Sequence, residues 1–145
     1  MSIALSTTLH ASFDDAVTRT REALAAQGFG VLTEIDMKAT LSKKLGESAG
    51  DELGDYVILG ACNPPLAQRA VSIDRQIGLL LPCNVVVRRD PDDTTVHVEA
   101  MNPQLLVEVT GDAKLQAEGA ADVTKGKLQN AVGGAKDALR DAVKR

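Results

Sequence analysis

Two short segments carry the residue types best suited to chemistry. Cys62, Asn63 and Pro64 lie in the first segment, and Cys83 and Asn84 lie in the second. A thiol near the start of a helix becomes more acidic, and the same helix start attracts anions. An asparagine amide can orient a ligand, because it both donates and accepts hydrogen bonds. The sequence therefore predicts a pocket for a small molecule or an anion, built from these five residues.

Other interpretations of the two cysteines stay open. A free cysteine is often a small buried hydrophobic residue. Two cysteines are a weak indication of a metal site, because a closed zinc site needs four ligands. We therefore predict no metal and no cofactor. A thiol-dependent enzyme or redox sensor using Cys62 is the alternative function, although His10 and His97, the only histidines, are expected at the surface and offer no clear general base. No catalytic residue is assigned, and a non-enzymatic role is favoured.

The elements around these segments should bring them together. Residues 56–61 are uninterruptedly apolar or small, as in a strand that is covered on both faces. Pro64 suits the first position of a helix over residues 64–73, because its missing N–H would have no partner there. The chain then returns to a second β-rich run at residues 84–87. We expect Cys62 and Cys83 to lie at the same end of neighbouring strands.

The remaining elements follow from hydrophobic periodicity and from capping residues. They are, in chain order, a strand at 3–9, a helix from Ser12 to Gly28, a strand at 29–35, a short helix after Asp36, a mobile loop at 46–54, a hairpin strand at 94–101 and a short helix from Asn102. The order βαβαβαββα predicts an α+β fold, with a mixed β-sheet and helices mainly on one face.

Composition divides the 145 residues into a compact domain at 1–111 and a tail at 112–145. The first part has 9 basic and 15 acidic residues, for a net charge of −6, and the tail has 7 and 5, for a net charge of +2. Nucleic acid is therefore not an expected partner. The tail is rich in alanine and glycine, which predicts a helical or partly disordered segment.

Apolar runs, the first ten residues and the cysteine count bear on the compartment of the protein and on membrane association. No apolar run approaches the roughly 20 residues of a membrane span. The first ten residues lack the positive charge and apolar run of a signal peptide. Two cysteines do not imply a disulfide scaffold. We expect a cytoplasmic protein with reduced thiols and no membrane partner.

Four segments resemble the domain of unknown function 302 family. They are Gly28–Val31, Asp36–Lys38, Leu59–Pro64 and Gly78–Val85, within a similarity that spans about residues 3–110. The resemblance implies a compact α+β domain that tends to form dimers, and it implies no established activity. The signatures GxCNP and LPC of that family fall on the two segments of the candidate pocket.

The tail resembles the latter half of the CsbD-like bacterial stress proteins, which are small, hydrophilic and helical or partly disordered. The residues that carry this resemblance are Thr110–Asp122 and Lys125–Gly133. Alternatively, the tail supplies the terminal helix of the first domain and packs on its sheet.

Together these observations predict a bacterial, stress-associated binding domain that forms a homodimer, with its pocket near Cys62 and Cys83. A third possibility is a structural protein that acts through its tail. The ligand, any reaction and the pathway do not follow from the sequence.

Overall fold

The computed structural model describes residues 3–102, and they form an α+β fold, as predicted. The elements are β1 (Ala4–Leu9), α1 (Phe13–Ala26), β2 (Gly30–Asp36), α2 (Met37–Leu45), α3 (Glu47–Leu53), β3 (Asp55–Cys62), α4 (Pro64–Ile73), a 3₁₀ helix (Arg75–Leu80), β4 (Cys83–Arg89) and β5 (Val96–Met101). No helix among these residues is long and apolar enough to cross a bilayer.

The five strands make one sheet in the order β1-β5-β4-β3-β2. Every pairing in this sheet is antiparallel, whereas the sequence predicted a mixed sheet. The difference has a local cause. Two helical segments separate β2 from β3 and again β3 from β4, so the chain leaves one end of the sheet and returns to the same end. A single helix would instead have carried it to the far end as a parallel crossover.

One face of the sheet, called here the helix face, is covered by α1 and holds the core. Alternate strand residues point into it, as the period of two along each strand requires. The buried cluster consists of aliphatic side chains with one phenylalanine: Leu9, Ala16, Ala23, Leu24, Phe29, Val57, Leu59, Ala61, Val85, Val87, Val96 and Val98. The three inner strands β3, β4 and β5 supply seven of these residues, so the core lies under the middle of the sheet.

Helix α1 begins and ends as its sequence predicts. The Ser12 side chain accepts a hydrogen bond from the Asp15 N–H at 3.2 Å, which caps the first turn. At the other end, the Phe29 N–H donates to the Leu24 carbonyl at 2.9 Å, and Gly28 has a φ of +83°. This C-terminal cap turns the chain into β2 and places Phe29 in the core.

The structure corrects two local predictions. The segment 46–54, predicted to be a mobile loop, contains α3. Its Gly50 packs against α2 so closely that an added Cβ would lie 1.9 Å from Ser42 Oγ, so this glycine marks a helix contact and not a loop. The 3₁₀ helix was not predicted at all. The predictions for residues 103–145 lie outside the described residues.

Candidate functional site

The two predicted segments meet at one end of the sheet, called here the cysteine end. In the β3–β4 ladder Ala61 lies opposite Cys83, and in the β2–β3 ladder Gly30 lies opposite Cys62. Paired strands lie about 4.8 Å apart. Both cysteines are free thiols and half-buried. Neighbouring strands therefore place the two cysteines at the same end of the sheet.

Gly60 allows the two segments to approach closely. It is buried, and a Cβ added to it would lie 2.1 Å from Thr33 Oγ1 and 2.8 Å from Pro82 Cγ. Thr33 comes from β2, and Pro82 follows a cis peptide bond with Leu81. Only a residue without a side chain fits between them. Pro82 can therefore lie against β3 directly before Cys83.

Asn63 caps helix α4 and leaves little for an anion to bind. Its Oδ1 accepts from the Leu66 N–H at 3.3 Å, and its carbonyl accepts from the Ala67 N–H at 2.9 Å. Pro64 and Pro65 occupy the first two helical positions and have no N–H. The first-turn donors that would bind an anion at a helix start are thus absent or already used. This helix start does not support the anion site that its position suggested.

The cavity at the cysteine end measures about 30 Å³. Ligand pockets for drug-sized molecules typically measure roughly 300–1,000 Å³. The lining is almost entirely apolar apart from the thiols and the Asn63 amide. It consists of Phe29, Ala61, Cys62, Asn63, Leu66, Ala67, Ala70, Ile77, Leu81 and Cys83. The space suits an occupant of the size of a water molecule or a single ion.

The five predicted pocket residues are placed differently from one another. Cys62, Asn63 and Cys83 line the cavity. Pro64 begins α4 and is exposed, so its role is to start the helix. Asn84 is exposed and lies opposite Gly60, one residue along from Cys83, so its side chain leaves the sheet on the other face.

Burial and a neighbouring cysteine affect the Cys83 thiol. The pKa of Cys83 is raised, chiefly because burial disfavours the thiolate and also because a charge on Cys62 lies nearby. Cys83 is therefore a thiol at neutral pH. The greater polarisation expected for Cys62 stays a prediction.

Neither histidine reaches the cysteines. His97 pairs with Arg88, five residues along β4 from Cys83, which is about 16 Å at roughly 3.3 Å per residue. The His97 ring lies 3.1 Å from an Asp93 carboxylate oxygen. His10 follows β1 at the same far end of the sheet. The geometry therefore pairs neither histidine with either cysteine.

Sequence reasoning missed several lining residues. Ile77 lies on the unpredicted 3₁₀ helix, and Phe29 was assigned only to a strand. The position of Phe29 between Gly28 and Gly30 was one sequence feature that could have indicated its place in the lining. A Cβ on Gly28 would lie 3.2 Å from Asn63 Nδ2, so this turn packs directly beside the cap of α4.

A second depression of about 380 Å³ lies at the opposite end of the sheet. It contains two of the three aromatic residues of the chain, Phe13 and Tyr56. Most of its charged groups already have partners. The Asp55 carboxylate lies 3.6 Å from Lys38 Nζ and accepts from Arg89 Nε at 3.1 Å, and Arg89 lies 6.0 Å from the centroid of the Phe13 ring. We therefore assign no ligand to this depression.

Two more carboxylates of this depression have donors within the protein. Glu34 pairs with Arg21, and Asp36 caps α2. The arrangement is that of ion pairs that hold α1 and α2 against the sheet. No group of three or more histidine, cysteine, aspartate or glutamate side chains among residues 3–102 is placed to hold a metal ion.

The model of the family described as domain of unknown function DUF302 matches residues 5–134. The chain belongs to the DUF302 family. One similar solved structure is titled "Crystal structure of uncharacterized conserved protein DUF302 from Bacillus stearothermophilus". It is 22% identical, with a TM-score of 0.77 over 96% of this chain and 99% of that chain, and at this identity the likeness shows the fold alone. A comparison with curated proteins gives no match.

The DUF302 match runs to residue 134, past the boundary predicted at Gly111. It thus includes much of the tail, and the resemblance of residues 112–145 to CsbD-like proteins finds no support in these comparisons.

Proposed function

We propose that this DUF302 domain is a binding protein whose site is the cavity between Cys62 and Cys83. The observation that supports the proposal is that two free cysteines on neighbouring strands are among the residues that line one small cavity. Gly60, Pro82 and Asn63 have steric or capping roles that hold these thiols in place. The proposal requires no catalytic base, and both histidines lie at the other end of the sheet.

The size of the cavity restricts the ligand. A space of about 30 Å³ accepts a water-sized molecule or one ion. The apolar lining and the capped helix start disfavour an anion, since an anion would lose its hydration without gaining free N–H donors. Among the ligands predicted from the sequence, a very small neutral species is therefore favoured over an anion.

Filling the cavity tests the proposal. Ala70→Val adds two carbons inside the cavity, and Gln68→Val places the same side chain on the exposed side of α4 as a control. We expect native mass spectrometry of protein purified from cells to show a bound species in the wild type and in Gln68→Val but not in Ala70→Val. If each of the three proteins has the mass of its own sequence, with no bound species, the proposal is contradicted.

A redox sensor that uses Cys62 is the second candidate. It is favoured by the same proximity of two thiols, since a thiol oxidised to sulfenic acid is resolved by a neighbouring thiol. Peroxide treatment followed by mass spectrometry distinguishes the two functions. A redox sensor should form a Cys62–Cys83 disulfide within its working time, whereas the binding protein should keep both thiols reduced.

The homodimer predicted from the sequence is part of the proposal. Within residues 3–102, β2 is an edge strand, and its Leu32 and Ile35 side chains are 69% and 45% exposed. An edge strand with exposed apolar residues suits pairing with a second copy. Light scattering should give a dimer mass at micromolar concentration, and Ile35→Lys should give a monomer. A monomer mass for the wild type would refute the dimer.

A cytoplasmic location, a role in stress and interactions through residues 112–145 complete the proposal. They rest on the charge, cysteine content and resemblance of the sequence. A chain ending at Gly111 tests the boundary. We expect it to stay folded with a cooperative melt, and aggregation or loss of cooperativity would instead make the tail an integral part of the DUF302 domain.

A further inference from the structure

The face of the sheet opposite α1, called here the open face, carries a strip of apolar side chains. The strand registers place Ile35, Ile58 and Val86 side by side on β2, β3 and β4. Ile58 lies between the core residues Val57 and Leu59, so its side chain points to the open face. Among residues 3–102, no side chain on the open face is buried. A face that met only water would carry polar side chains at these positions.

The strip is narrow, because the rest of the same row is polar. From Val86 the row continues to Glu99 on β5 and Ser6 on β1. Glu99 accepts a hydrogen bond from Arg88 Nε at 2.6 Å, so its charge is compensated within the face. Three adjacent strands span about 10 Å. That width matches the diameter of one helix, which is about 10 Å.

The chain beyond Asn102 contains one segment of matching shape, residues 128–143. In an α-helix, sixteen residues would extend about 24 Å, close to the roughly 26 Å of the eight-residue strand β3. Gly133 and Gly134 would weaken such a helix in isolation, so it needs a surface to pack on. One side of the helix would be entirely apolar, with all charged residues elsewhere: Leu128, Ala131, Val132, Ala135, Ala138, Leu139, Ala142 and Val143.

Tethering and charge favour the open face of the same chain as that surface. Residues 103–127 join β5 to this segment and are long enough to reach the strip. A tethered segment acts at an effective concentration of about 1 mM, whereas a second copy would need roughly 800 Å² of surface per partner. Residues 127–145 have five basic and two acidic residues, for a net charge of +3, against −6 for residues 1–111. The DUF302 match also reaches into this segment, to residue 134.

We propose that residues 128–143 form a helix that docks on the open face of their own chain, with its apolar side against Ile58 and Val86. The docked helix shields the strip from water. The core lies on the other face of the sheet, so docking is compatible with a domain that folds without the tail. This inference goes beyond the proposed binding function and does not depend on the cavity at the cysteine end.

Hydrogen exchange of the full-length protein, followed by mass spectrometry, tests the docking. Val86→Lys places a charge in the strip, and Leu139→Lys places one on the apolar side of the segment. Thr8→Lys, on the polar part of the open face, and Gln129→Lys, outside the apolar side, are the matched controls. We expect exchange in residues 128–143 to be about tenfold slower in the wild type and both controls than in Val86→Lys and Leu139→Lys.

Three results would overturn the inference. Equally fast exchange of residues 128–143 in all five proteins would mean that the segment does not dock. Slow exchange that Val86→Lys leaves unchanged would mean that it packs elsewhere. Slow exchange that becomes fast on dilution would mean that it docks on a second copy.

The same data report whether the variants fold. Exchange of α1 should be slow and equal in every protein, since α1 packs on the other face. If Val86→Lys also speeds exchange in α1, Ile58→Thr replaces it as the milder change in the strip. Leu139→Lys alters no described strand, so its effect on residues 128–143 tests docking in a folded sheet. A bound species in native mass spectrometry is scored separately, so the proposed binding function stands or falls independently.

Discussion

Replacing Gly60 by alanine should destabilise the domain by a predictable amount. The new Cβ would lie 2.8 Å from Pro82 Cγ, so the ring must move by about 0.6 Å to reach an ordinary contact of 3.4 Å. The Cβ would also lie 2.1 Å from Thr33 Oγ1, so Thr33 must leave its present rotamer. Overpacking of this kind costs about 1–3 kcal/mol. We expect roughly 2 kcal/mol, because the displaced proline ring and the forced change of Thr33 both contribute.

Urea unfolding followed by circular dichroism measures this loss. With a slope near 2 kcal/mol per M, a loss of about 2 kcal/mol lowers the urea midpoint by roughly 1 M. Thr33→Ala in the Gly60→Ala background should recover about 1 kcal/mol, because it removes the shorter of the two contacts. Gly78→Ala is the matched control, since a Cβ there meets nothing within 4 Å, and it should be nearly neutral.

Two results would refute this reasoning about Gly60. One is a midpoint for Gly60→Ala that differs from the wild type by no more than that for Gly78→Ala. The other is a double variant with Thr33→Ala that is no more stable than Gly60→Ala alone. The displaced Pro82 should also disturb Cys83, which follows it directly. Faster alkylation of Cys83 in Gly60→Ala is therefore expected in addition to the loss of stability.

Three further predictions concern caps and titration. Asn63→Ala should lower the free energy of unfolding by about 1 kcal/mol through loss of the α4 cap, whereas Asn63→Asp should retain most of it in the same urea experiment. Because burial raises the pKa of Cys83, its alkylation by iodoacetamide should require a higher pH in the folded protein than in the unfolded chain, and equal profiles would contradict this. The backbone N–H of Thr95, and then His97, lower the pKa of Asp93. The stability that Asp93 contributes should be present above the pKa of its carboxyl in the unfolded chain and lost as the pH falls through its lower pKa in the folded protein. Asp93→Asn should remove this contribution from melting curves recorded against pH.

Local sequence features predicted most of the fold because they act over few residues. Ser12 and Gly28 set the ends of α1, and Pro64 set the start of α4. Strand directions were less predictable, because they depend on whether a connection holds one helical segment or two. The 3₁₀ helix after Asp74 has no strong periodicity of its own, and without it the β3–β4 connection looked like an ordinary crossover.

The sequence indicated that the two cysteines lie at one end of the sheet, but it did not indicate the size of the cavity there. The two cysteines follow and precede strands that the apolar pattern identifies, so their meeting could be inferred. The volume of the cavity depends on how Phe29, Leu66 and Ile77 pack together. These residues are far apart in the sequence, and no local sequence pattern indicates how they pack. The loss of anion-binding donors was present in the sequence, because Pro64 and Pro65 lack an N–H. The Asn63 side chain completes this loss, because it accepts the hydrogen bond of the next N–H, that of Leu66.

The central claim is that Cys62 and Cys83 share one site in the folded protein. A bifunctional thiol reagent that fluoresces only after alkylating two thiols tests it most directly. At low protein concentration, we predict one fluorescent product per chain, a peptide map that joins Cys62 to Cys83, and no fluorescence from either serine variant. Modification of the two cysteines by separate reagent molecules, or a bridge formed only between two chains, would contradict the claim.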